Sequence, residues 1–206
     1  MPKDKSLSHE KVNIAIRKEF FEKGYEGASI RSIGKRAGMT SAGLYRHYRD
    51  KEDMFDSIVL PLLKEIDEWT RNHEERKYKL VDAKKDESEI FGETFLNLIK
   101  EVILPRKEEF RLILNGAKGS KYENFIHEFV EHNQGKLNEA IRYMKDKGYP
   151  AIILSEEELH MLLSAYLTAI FEPIIHGYDE DKIDGYLDRV NDFFMPGWMR
   201  IMGIVK

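Results

Sequence analysis

Apolar residues recur at intervals of three and four along most of the chain, which is the spacing of one face of an α-helix. These stretches are separated by glycine, proline or charged segments, and alternation of the strand type reaches no convincing length. The pattern predicts an all-α protein. We expect helices over about 8–23, 30–37, 41–48, 50–73, 88–104, 105–115, 122–147, 155–176 and 181–202, the last of them bent near 196–197.

The most specific pattern is a pair of short apolar stripes near the N-terminus. Ile30, Ile33 and Ala37 lie on one face of a short helix. Gly38 follows, where a chain that leaves a helix often needs a left-handed backbone. Thr40 is then placed to cap a second helix. The spacing predicts two helices joined by a tight turn, as in a helix-turn-helix.

The second of these helices has an outward face suited to DNA. Its inward residues would be Leu44 and Tyr48, four residues apart. The remaining positions are small at the start of the helix and polar or cationic later: Ser41, Ala42, Gly43, Tyr45, Arg46 and His47. Small residues let the start of a helix approach base edges, and the later side chains can bind phosphate. This face therefore predicts DNA binding.

The same segment resembles the DNA-binding part of the TetR family of transcriptional regulators. The resemblance rests on Ala-Ser-Ile-Arg at 28–31, Ile-Gly-Lys-Arg-Ala-Gly-Met-Thr at 33–40, Leu-Tyr-Arg-His-Tyr at 44–48 and Lys51. Upstream, Val12, Ala15, Ile16, Phe20 and Gly24-Tyr25 fit the first helix of the family and the turn after it. The chain departs from the family pattern where Gly34 replaces the usual alanine, and where Ala42-Gly43 replaces the common Gly-Thr.

The resemblance implies a role for each residue of this segment. It implies that Ser29, Tyr45, His47 and Lys51 mainly bind phosphates, and that Thr40, Ser41, Ala42, Gly43 and Arg46 lie closest to base edges. Arg31 belongs to the matched motif and is counted with the DNA-binding residues. Lys51 would also stand at a helix start, where backbone amides and the helix dipole favour an anion.

The charge distribution agrees with a DNA-binding N-terminus. The whole chain carries a formal charge of −4, but residues 1–55 hold 12 Lys and Arg against 8 Asp and Glu. The remainder holds 21 against 29. The positive part coincides with the helix-turn-helix, and an acidic remainder helps to keep DNA on one side. We therefore expect a DNA-binding domain over 1–55 and an effector-binding and dimerisation domain over 56–206.

Several classes of protein are disfavoured by composition. The chain has no cysteine, which excludes a disulfide framework and thiol catalysis and is compatible with the cytoplasm. The N-terminal residues lack the apolar core of a signal peptide. No apolar run approaches the ~18 residues that span a bilayer, so we expect no membrane partner. No cofactor is expected.

Aromatic and methionine side chains in the second domain suggest an effector pocket between helices. Its predicted walls are Phe91, Phe95, Phe110, Phe125, Phe129, Met161 and Tyr166, with His132 and His160 as polar groups. Simple core packing is the alternative for each of these residues. The predicted partner is a small, largely apolar molecule.

The last two helices are apolar on more than one face, and such helices must be buried on most sides. A second copy of the chain is a natural cover. The predicted contacts are Leu163, Leu167, Ile170, Phe171, Ile174, Leu187, Val190, Phe194 and Trp198. The resemblance also implies dimerisation through these helices as a four-helix interface.

Two other functions compete with DNA binding. Glu157 and His160 have the i, i+3 spacing of dimetal carboxylate bundles, and Glu128/His132 and Glu172/His176 are i, i+4 pairs. The second Glu-x-x-His that such an enzyme needs is absent from the sequence, so neither metal nor catalytic residues are predicted. A protein-binding helical adaptor would leave the positive helix-turn-helix unexplained.

The preferred prediction is a ligand-responsive DNA-binding regulator, most often a repressor in the family that the chain resembles. As a homodimer it would bind a near-palindromic, double-stranded operator with half-sites about 34–36 Å apart. A small effector in the second domain would favour a spacing of the DNA-binding domains that no longer fits.

Overall fold

The computed structural model describes residues 5–91 and 95–203, and within these ranges it contains helices and no strand. The α-helices are α1 (Lys5–Gly27), α2 (Ile30–Ala37), α3 (Ser41–Leu44), α4 (Lys51–Asp82), α5 (Glu87–Ile90), α6 (Phe95–Leu98), α7 (Lys107–Gly116), α8 (Phe125–Asp146), α9 (Glu156–Ile175) and α10 (Glu180–Ile201). A π-helical segment (Ile99–Ile103) and a 3₁₀ turn (Leu104–Arg106) join α6 to α7. The all-α prediction is confirmed.

Helix α4 is longer than the sequence pattern indicated. The charged stretch after residue 73 was expected to end the helix, but α4 continues to Asp82. The reason is tertiary: Val81, in the last turn, is buried in an apolar cluster with Ile90 and Met144. Helix α4 also continues through Pro61, and α10 through Pro196.

The prediction of one continuous helix over 88–104 was wrong. The described part of this stretch contains the short helices α5 and α6 and the π-helical segment. The last two helices agree better with the sequence. Ser155 and Glu158 form a capping box at the start of α9, at the position where this helix was predicted to begin.

The chain divides into two compact units. Unit 1 comprises Met1–Lys64 and Arg106–Phe125, and unit 2 comprises Glu65–Pro105 and Ile126–Lys206. The boundary in α4 therefore follows Lys64 rather than residue 55, and unit 1 also contains α7. The difference arises because α7 packs against α1, a contact between residues far apart in the chain.

In unit 1, Gly24 of α1 lies in close contact with Gly116 of α7. Gly24 has φ 65° and ψ 179° inside α1, a conformation that other residues rarely adopt. A Cβ at Gly24 would lie 3.1 Å from the carbonyl oxygen of Gly116 in α7. The Arg17 guanidinium also binds Glu109 of α7 at 2.8 Å. The backbone of α7 is therefore held directly against α1.

The residues after α7 are tied to α4 within the same unit. The Asp56 carboxylate accepts hydrogen bonds from Tyr122 Oη and Lys121 Nζ, both at 2.7 Å. The Tyr122 ring lies 6.0 Å from that of Phe55, a fully buried residue of α4. Unit 1 is thus a helix-turn-helix domain extended by α7 and the turn that follows it.

Unit 2 buries most of the apolar surface of α9 and α10 within the chain itself. Of the residues predicted for a dimer interface, Leu163, Leu167, Ile170, Phe171, Ile174, Leu187, Val190 and Trp198 are buried in the single chain, and Phe194 is half-buried beside Tyr166. These residues were therefore wrongly predicted to need a second chain as their cover, because neighbouring helices of the same chain cover them.

Helix α9 has the length and apolar composition of a membrane-spanning helix. By length and a mean hydropathy of 1.2 it passes as one, which the sequence argument had not anticipated. Eight of its residues are nevertheless buried within the chain: Leu159, Leu163, Tyr166, Leu167, Ile170, Phe171, Pro173 and Ile174. Burial within the chain accounts for the hydropathy of this helix.

Candidate DNA interface and effector cleft

The local signals that predicted the helix-turn-helix are present as hydrogen bonds. The Ser29 hydroxyl oxygen accepts from the Ser32 amide at 3.1 Å and caps α2. Gly38 has φ 68° and ψ 32°, the left-handed conformation that ends this helix. The Thr40 hydroxyl oxygen accepts from the Gly43 amide at 3.1 Å and caps α3. These bonds fix the turn between the two helices.

Gly34 allows the two helices to approach more closely than an alanine permits. The Met39 amide donates to the Gly34 carbonyl at 2.8 Å, which folds the turn back over α2. A Cβ on Gly34 would lie 2.8 Å from the Met39 carbonyl oxygen. Glycine lowers the intrinsic stability of a helix by about 1 kcal/mol. Here it also provides space for the backbone that leads into α3.

Helix α3 is shorter than predicted. It ends at Leu44 and is followed by a turn, instead of continuing to Tyr48. The two predicted inward residues are nevertheless buried, Leu44 completely and Tyr48 almost completely. Tyr48 Oη donates to Asn13 Oδ1 of α1 at 2.6 Å. This bond anchors the turn after α3 to α1.

The predicted DNA-contacting residues are accessible in the free protein, with one exception considered below. Tyr45 is 51% exposed. Ser29, Arg31, Thr40, Ala42, Arg46 and His47 are also exposed, and Ser41 and Gly43 are partly so. The His47 ring meets the His9 ring of α1 in an edge-to-face contact, with centroids 5.9 Å apart.

The cations around the helix-turn-helix differ in whether carboxylates bind them. In the parts of the chain that the structure describes, Arg31, Lys35 and Arg46 form no hydrogen bond or ion pair with other side chains. The side chains of Lys23, Arg36 and Arg49 are instead neutralised by carboxylates. The first group lies on α2 and just after α3. Lys35 is the member that the sequence analysis missed, although its position beside Arg36 on α2 was visible.

Glu19 binds two cations of the second group, Lys23 and Arg36. Its side chain is completely buried in α1, and it accepts from Ser32 Oγ at 2.6 Å, Arg36 Nε at 2.8 Å and Lys23 Nζ at 2.9 Å. The Ser29 amide donates to it as well, at 3.3 Å. Glu19 thus joins α1 to the start of α2. Sequence reasoning missed this residue because a glutamate at an inward position carries no motif.

The environment of Glu19 keeps it ionised. Burial alone would raise the pKa of this carboxyl. The hydrogen bonds from Ser32, Lys23 and Ser29, together with the Lys23 charge, outweigh burial and lower the pKa to about 2. The carboxylate therefore binds its partners across the physiological pH range.

Lys51 is the exception among the predicted phosphate contacts. Its ammonium lies 4.6 Å from the centre of the Tyr25 ring, and it donates to the Glu26 carbonyl at 3.4 Å. Burial lowers the pKa of Lys51. In the free protein Lys51 joins the start of α4 to the end of α1.

Unit 2 contains two adjoining clefts. The first, here called the apolar cleft, has a volume of ≈ 90 Å³ and is lined by Lys77, Phe91, Phe95, Leu137, Leu163, Tyr166, Met195, Trp198 and Met202. The second, the polar cleft, has a volume of ≈ 110 Å³ and is lined by Trp69, Thr70, His73, Glu74, Lys77, Phe95, Asn133, Lys136, Leu137 and Ala140. Because Lys77, Phe95 and Leu137 line both, the two clefts are contiguous.

The predicted effector residues are only partly brought together. Phe91, Phe95 and Tyr166 line the apolar cleft, and Phe129 packs behind it against Phe95 and Phe171.

The other predicted residues lie elsewhere. Phe110 and Phe125 pack edge to face in unit 1 and were wrongly included. His132 and Met161 are exposed, and His160 Nδ1 lies 3.0 Å from Gln134 Oε1. Residues of α4, including Lys77 and Trp69, were missed because the pattern assigned that stretch to a connecting or solvated segment.

Comparison with known proteins shows which proteins this chain resembles. The profile described as "Bacterial regulatory proteins, tetR family" matches residues 15–58, which contain the helix-turn-helix. The chain is 25% identical to the HTH-type transcriptional repressor AcnR of Corynebacterium glutamicum, over 89% of this chain and 90% of the relative. It is 21% identical to AcnR of Corynebacterium diphtheriae, over 91% of each chain.

A solved structure agrees over nearly the whole chain. A TetR-family regulator from Mesorhizobium loti superposes with a TM-score of 0.60 at 17% identity, covering 95% of this chain and 96% of that one. The protein is thus similar to TetR-family transcriptional regulators: the family profile covers residues 15–58, and repressors of 21–25% identity align with about nine tenths of the chain. It is therefore a DNA-binding regulator and not an enzyme.

The metal-enzyme alternative is not supported by this family. Within the described residues, no group of three or more His, Asp or Glu side chains is placed to hold a metal ion. The pair of Glu172 and His176 is a contact at 2.9 Å between exposed side chains on α9 and just after it. An adaptor that binds only protein is likewise not the function of the family.

Proposed function

We propose that this protein is a cytoplasmic, homodimeric repressor that binds a near-palindromic operator and leaves it when a small effector occupies the clefts of unit 2. The observation that carries the DNA-binding part is the group of accessible cations, Arg31, Lys35 and Arg46, around a capped helix-turn-helix. Repression is inferred from the AcnR relatives, which are named as repressors.

We further propose that DNA contacts are divided by position. Thr40, Ser41, Ala42 and Gly43 at the start of α3 approach base edges, because small side chains there keep the backbone accessible. Ser29, Arg31, Lys35, Tyr45 and His47 bind phosphates on either side. Arg46 follows α3 and reaches a base edge or the adjacent phosphate. Lys51 would contribute a phosphate contact by leaving the Glu26 carbonyl.

Arg46→Ala tests the DNA-binding surface. DNA fragments retained by the purified protein first supply an operator, and binding is then titrated against salt on operator and scrambled duplexes. We expect Arg46→Ala to lose about 1–3 kcal/mol of operator affinity. If Arg46 binds phosphate, the slope of log affinity against log salt also falls by about 1 per contact, hence about 2 per dimer.

The matched control for Arg46 is Arg71→Ala, which removes the same charge from an exposed residue of unit 2. It should leave operator affinity within about 0.5 kcal/mol of the unmodified protein. Equal affinities of the Arg46 and Arg71 variants would refute the assignment of this surface to DNA.

The proposed dimer contact uses the outer faces of α9 and α10, since their inner faces are already buried. Met161 is 69% exposed and Phe193 78% exposed, both unusually high for large apolar side chains. Ala165 and Thr168 on α9, and Gly197 on α10, are small exposed residues that would allow close helix packing. We expect a second copy of the chain to cover these outer faces, because dimerisation through a four-helix interface is typical of the TetR family.

Phe193→Glu tests this contact. Two-fold symmetry places each substitution in the interface twice, so the carboxylate should convert a dimer of about twice 24.2 kDa into monomers at low micromolar concentration. Operator affinity should fall at least about tenfold with it, because paired half-sites require paired domains. Light scattering and operator titration measure the two effects.

Ile126→Glu is the control for Phe193, since it adds the same charge at an exposed apolar residue of α8. It should remain dimeric. A Phe193→Glu protein that also remains a dimer with unchanged operator affinity would rule out this interface.

A further inference from the structure

A buried amide, that of Asn133, lies in the wall of the polar cleft. Asn133 interrupts the apolar stripe of α8 and is only 7% exposed. Its side-chain Nδ2 donates to the Phe129 carbonyl at 2.7 Å, which fixes the orientation of the amide. A buried and oriented polar group in a cleft selects its ligands by the hydrogen bond that it can form with them.

The oxygen of this amide is an acceptor that a ligand in the cleft can reach. Within the part of the chain that the structure describes, no group donates a hydrogen bond to Asn133 Oδ1. The atom is not sealed inside the core, because Asn133 lines the polar cleft. Leaving a buried acceptor without a donor costs free energy, and a ligand that donates to it recovers the bond. The position therefore favours an occupant with an O–H or N–H group.

Thr70 gives the polar cleft a second acceptor. Its Oγ1 donates the hydroxyl hydrogen to the Ile66 carbonyl at 2.7 Å, so towards a ligand this oxygen can only accept. Lys136 and Glu74, which line the same cleft, form an ion pair at 2.6 Å. At neutral pH a carboxylate ligand has no hydrogen to donate and would meet only lone pairs at Asn133 and Thr70. A neutral hydrogen-bond donor is therefore the head group that satisfies these oxygens.

The apolar cleft favours an aromatic body for the same ligand. Most of its lining consists of aromatic rings and thioethers, namely Phe91, Phe95, Tyr166, Trp198, Met195 and Met202. Aromatic rings pack favourably against one another, and thioether sulfurs make favourable contacts with ring edges. Because Phe95 and Leu137 line both clefts, one molecule can place its ring in the apolar cleft and its donor in the polar cleft.

We propose that the clefts bind a phenol, a neutral aromatic compound whose hydroxyl group donates to Asn133 Oδ1 while its ring lies in the apolar cleft. This inference rests on the proposed effector role of unit 2 and specifies the chemical class of the effector. It assigns Asn133 as the residue that selects for the hydroxyl group.

Isothermal titration calorimetry of the full-length protein, without DNA, tests the class of ligand. The probes are para-cresol, para-fluorotoluene and para-toluate, which share the methyl-substituted ring. Fluorine is close to a hydroxyl group in size but cannot donate a hydrogen bond, and the carboxylate of para-toluate replaces the donor by a negative charge. We expect para-cresol to bind with a Kd at least about tenfold lower than that of either other compound.

Asn133→Leu tests the residue, because leucine has a similar size and no acceptor. It should reduce the preference for para-cresol over para-fluorotoluene to less than about threefold, while para-fluorotoluene binds about as well as before. Asn138→Leu is the matched control. Asn138 lies on the same helix, accepts from Arg142 Nε at 3.3 Å and lines neither cleft, so this variant should keep the full preference.

Three outcomes would overturn the proposal. One is binding of para-fluorotoluene or para-toluate as tightly as para-cresol, and another is no binding of para-cresol up to millimolar concentration. The third is a folded Asn133→Leu protein that keeps the full preference. These measurements use no DNA, so they are separate from failure of the proposed function. If para-cresol binds through Asn133 but leaves operator affinity unchanged, the ligand class stands and the effector role fails.

Discussion

Replacing Glu19 with glutamine is expected to lower the free energy of unfolding of unit 1 by about 3 kcal/mol at neutral pH. The figure follows from the pKa of Glu19, which lies at about 2 in the folded protein against an ordinary value of 4.5. Glutamine resembles the protonated acid and loses the charge that binds Ser32, Lys23 and Arg36. Urea unfolding, followed by circular dichroism, measures the loss.

Glu22→Gln is the control for this prediction. Glu22 also binds Arg36, but its side chain is 45% exposed, and such surface pairs contribute at most about 1 kcal/mol. Losses of equal size in the two variants would contradict a special role for the buried carboxylate.

The pH dependence gives a second measure of the same residue. Because folding lowers the pKa of Glu19, its contribution is complete above about pH 4.5 and is lost as the pH falls from there towards 2. The unmodified protein should therefore lose stability more steeply than Glu19→Gln over this interval. Parallel stability profiles for the two proteins between pH 4.5 and 2 would refute the assignment.

Gly24→Ala should cost a similar amount, about 3 kcal/mol, for a different reason. The φ of 65° and ψ of 179° at Gly24 strain any residue with a Cβ by roughly 1–3 kcal/mol. The new Cβ would also lie 3.1 Å from the carbonyl oxygen of Gly116 and 3.3 Å from its Cα, so α7 must move away from α1. Moving packed backbone adds roughly 1–3 kcal/mol.

Gly148→Ala is the control that distinguishes backbone strain from the contact with Gly116. Gly148 also has a positive φ, 85°, but a Cβ there meets nothing within 4 Å. Its substitution should cost about 1–2 kcal/mol from backbone strain alone. Thermal unfolding of both variants measures the difference, and a Gly24 variant no less stable than the Gly148 variant would show that the contact of α1 with α7 contributes nothing.

The local features of the helix-turn-helix could be predicted well because their causes are local. Ser29, Thr40 and Ser155 each accept a hydrogen bond from an amide three residues ahead, so spacing alone indicates the start of a helix. Gly38 ends α2 for a reason that depends only on its own backbone. The family resemblance rested on the same short segment.

The clefts of unit 2 could be predicted only in part. Phe91, Phe95 and Tyr166 were expected from their apolar character, and they line the apolar cleft. Apolar character does not distinguish them from Phe110, which is completely buried in the other unit. The lysines of the clefts were missed because a lysine on a helix is usually solvated.

The sequence by itself determined the helical class, the helix-turn-helix with its caps and turn, and the positions where α9 and α10 begin. These depend on bonds and spacings within a few residues. Only the tertiary structure decided that α7 belongs to unit 1, that α9 and α10 bury their inner faces within the chain, and that Glu19 is a buried anchor. Each of these depends on residues distant in sequence meeting in space. Burial, charge pairing and close packing at such a contact depend on both of the segments that meet. The sequence pattern of one segment alone therefore cannot predict the contact.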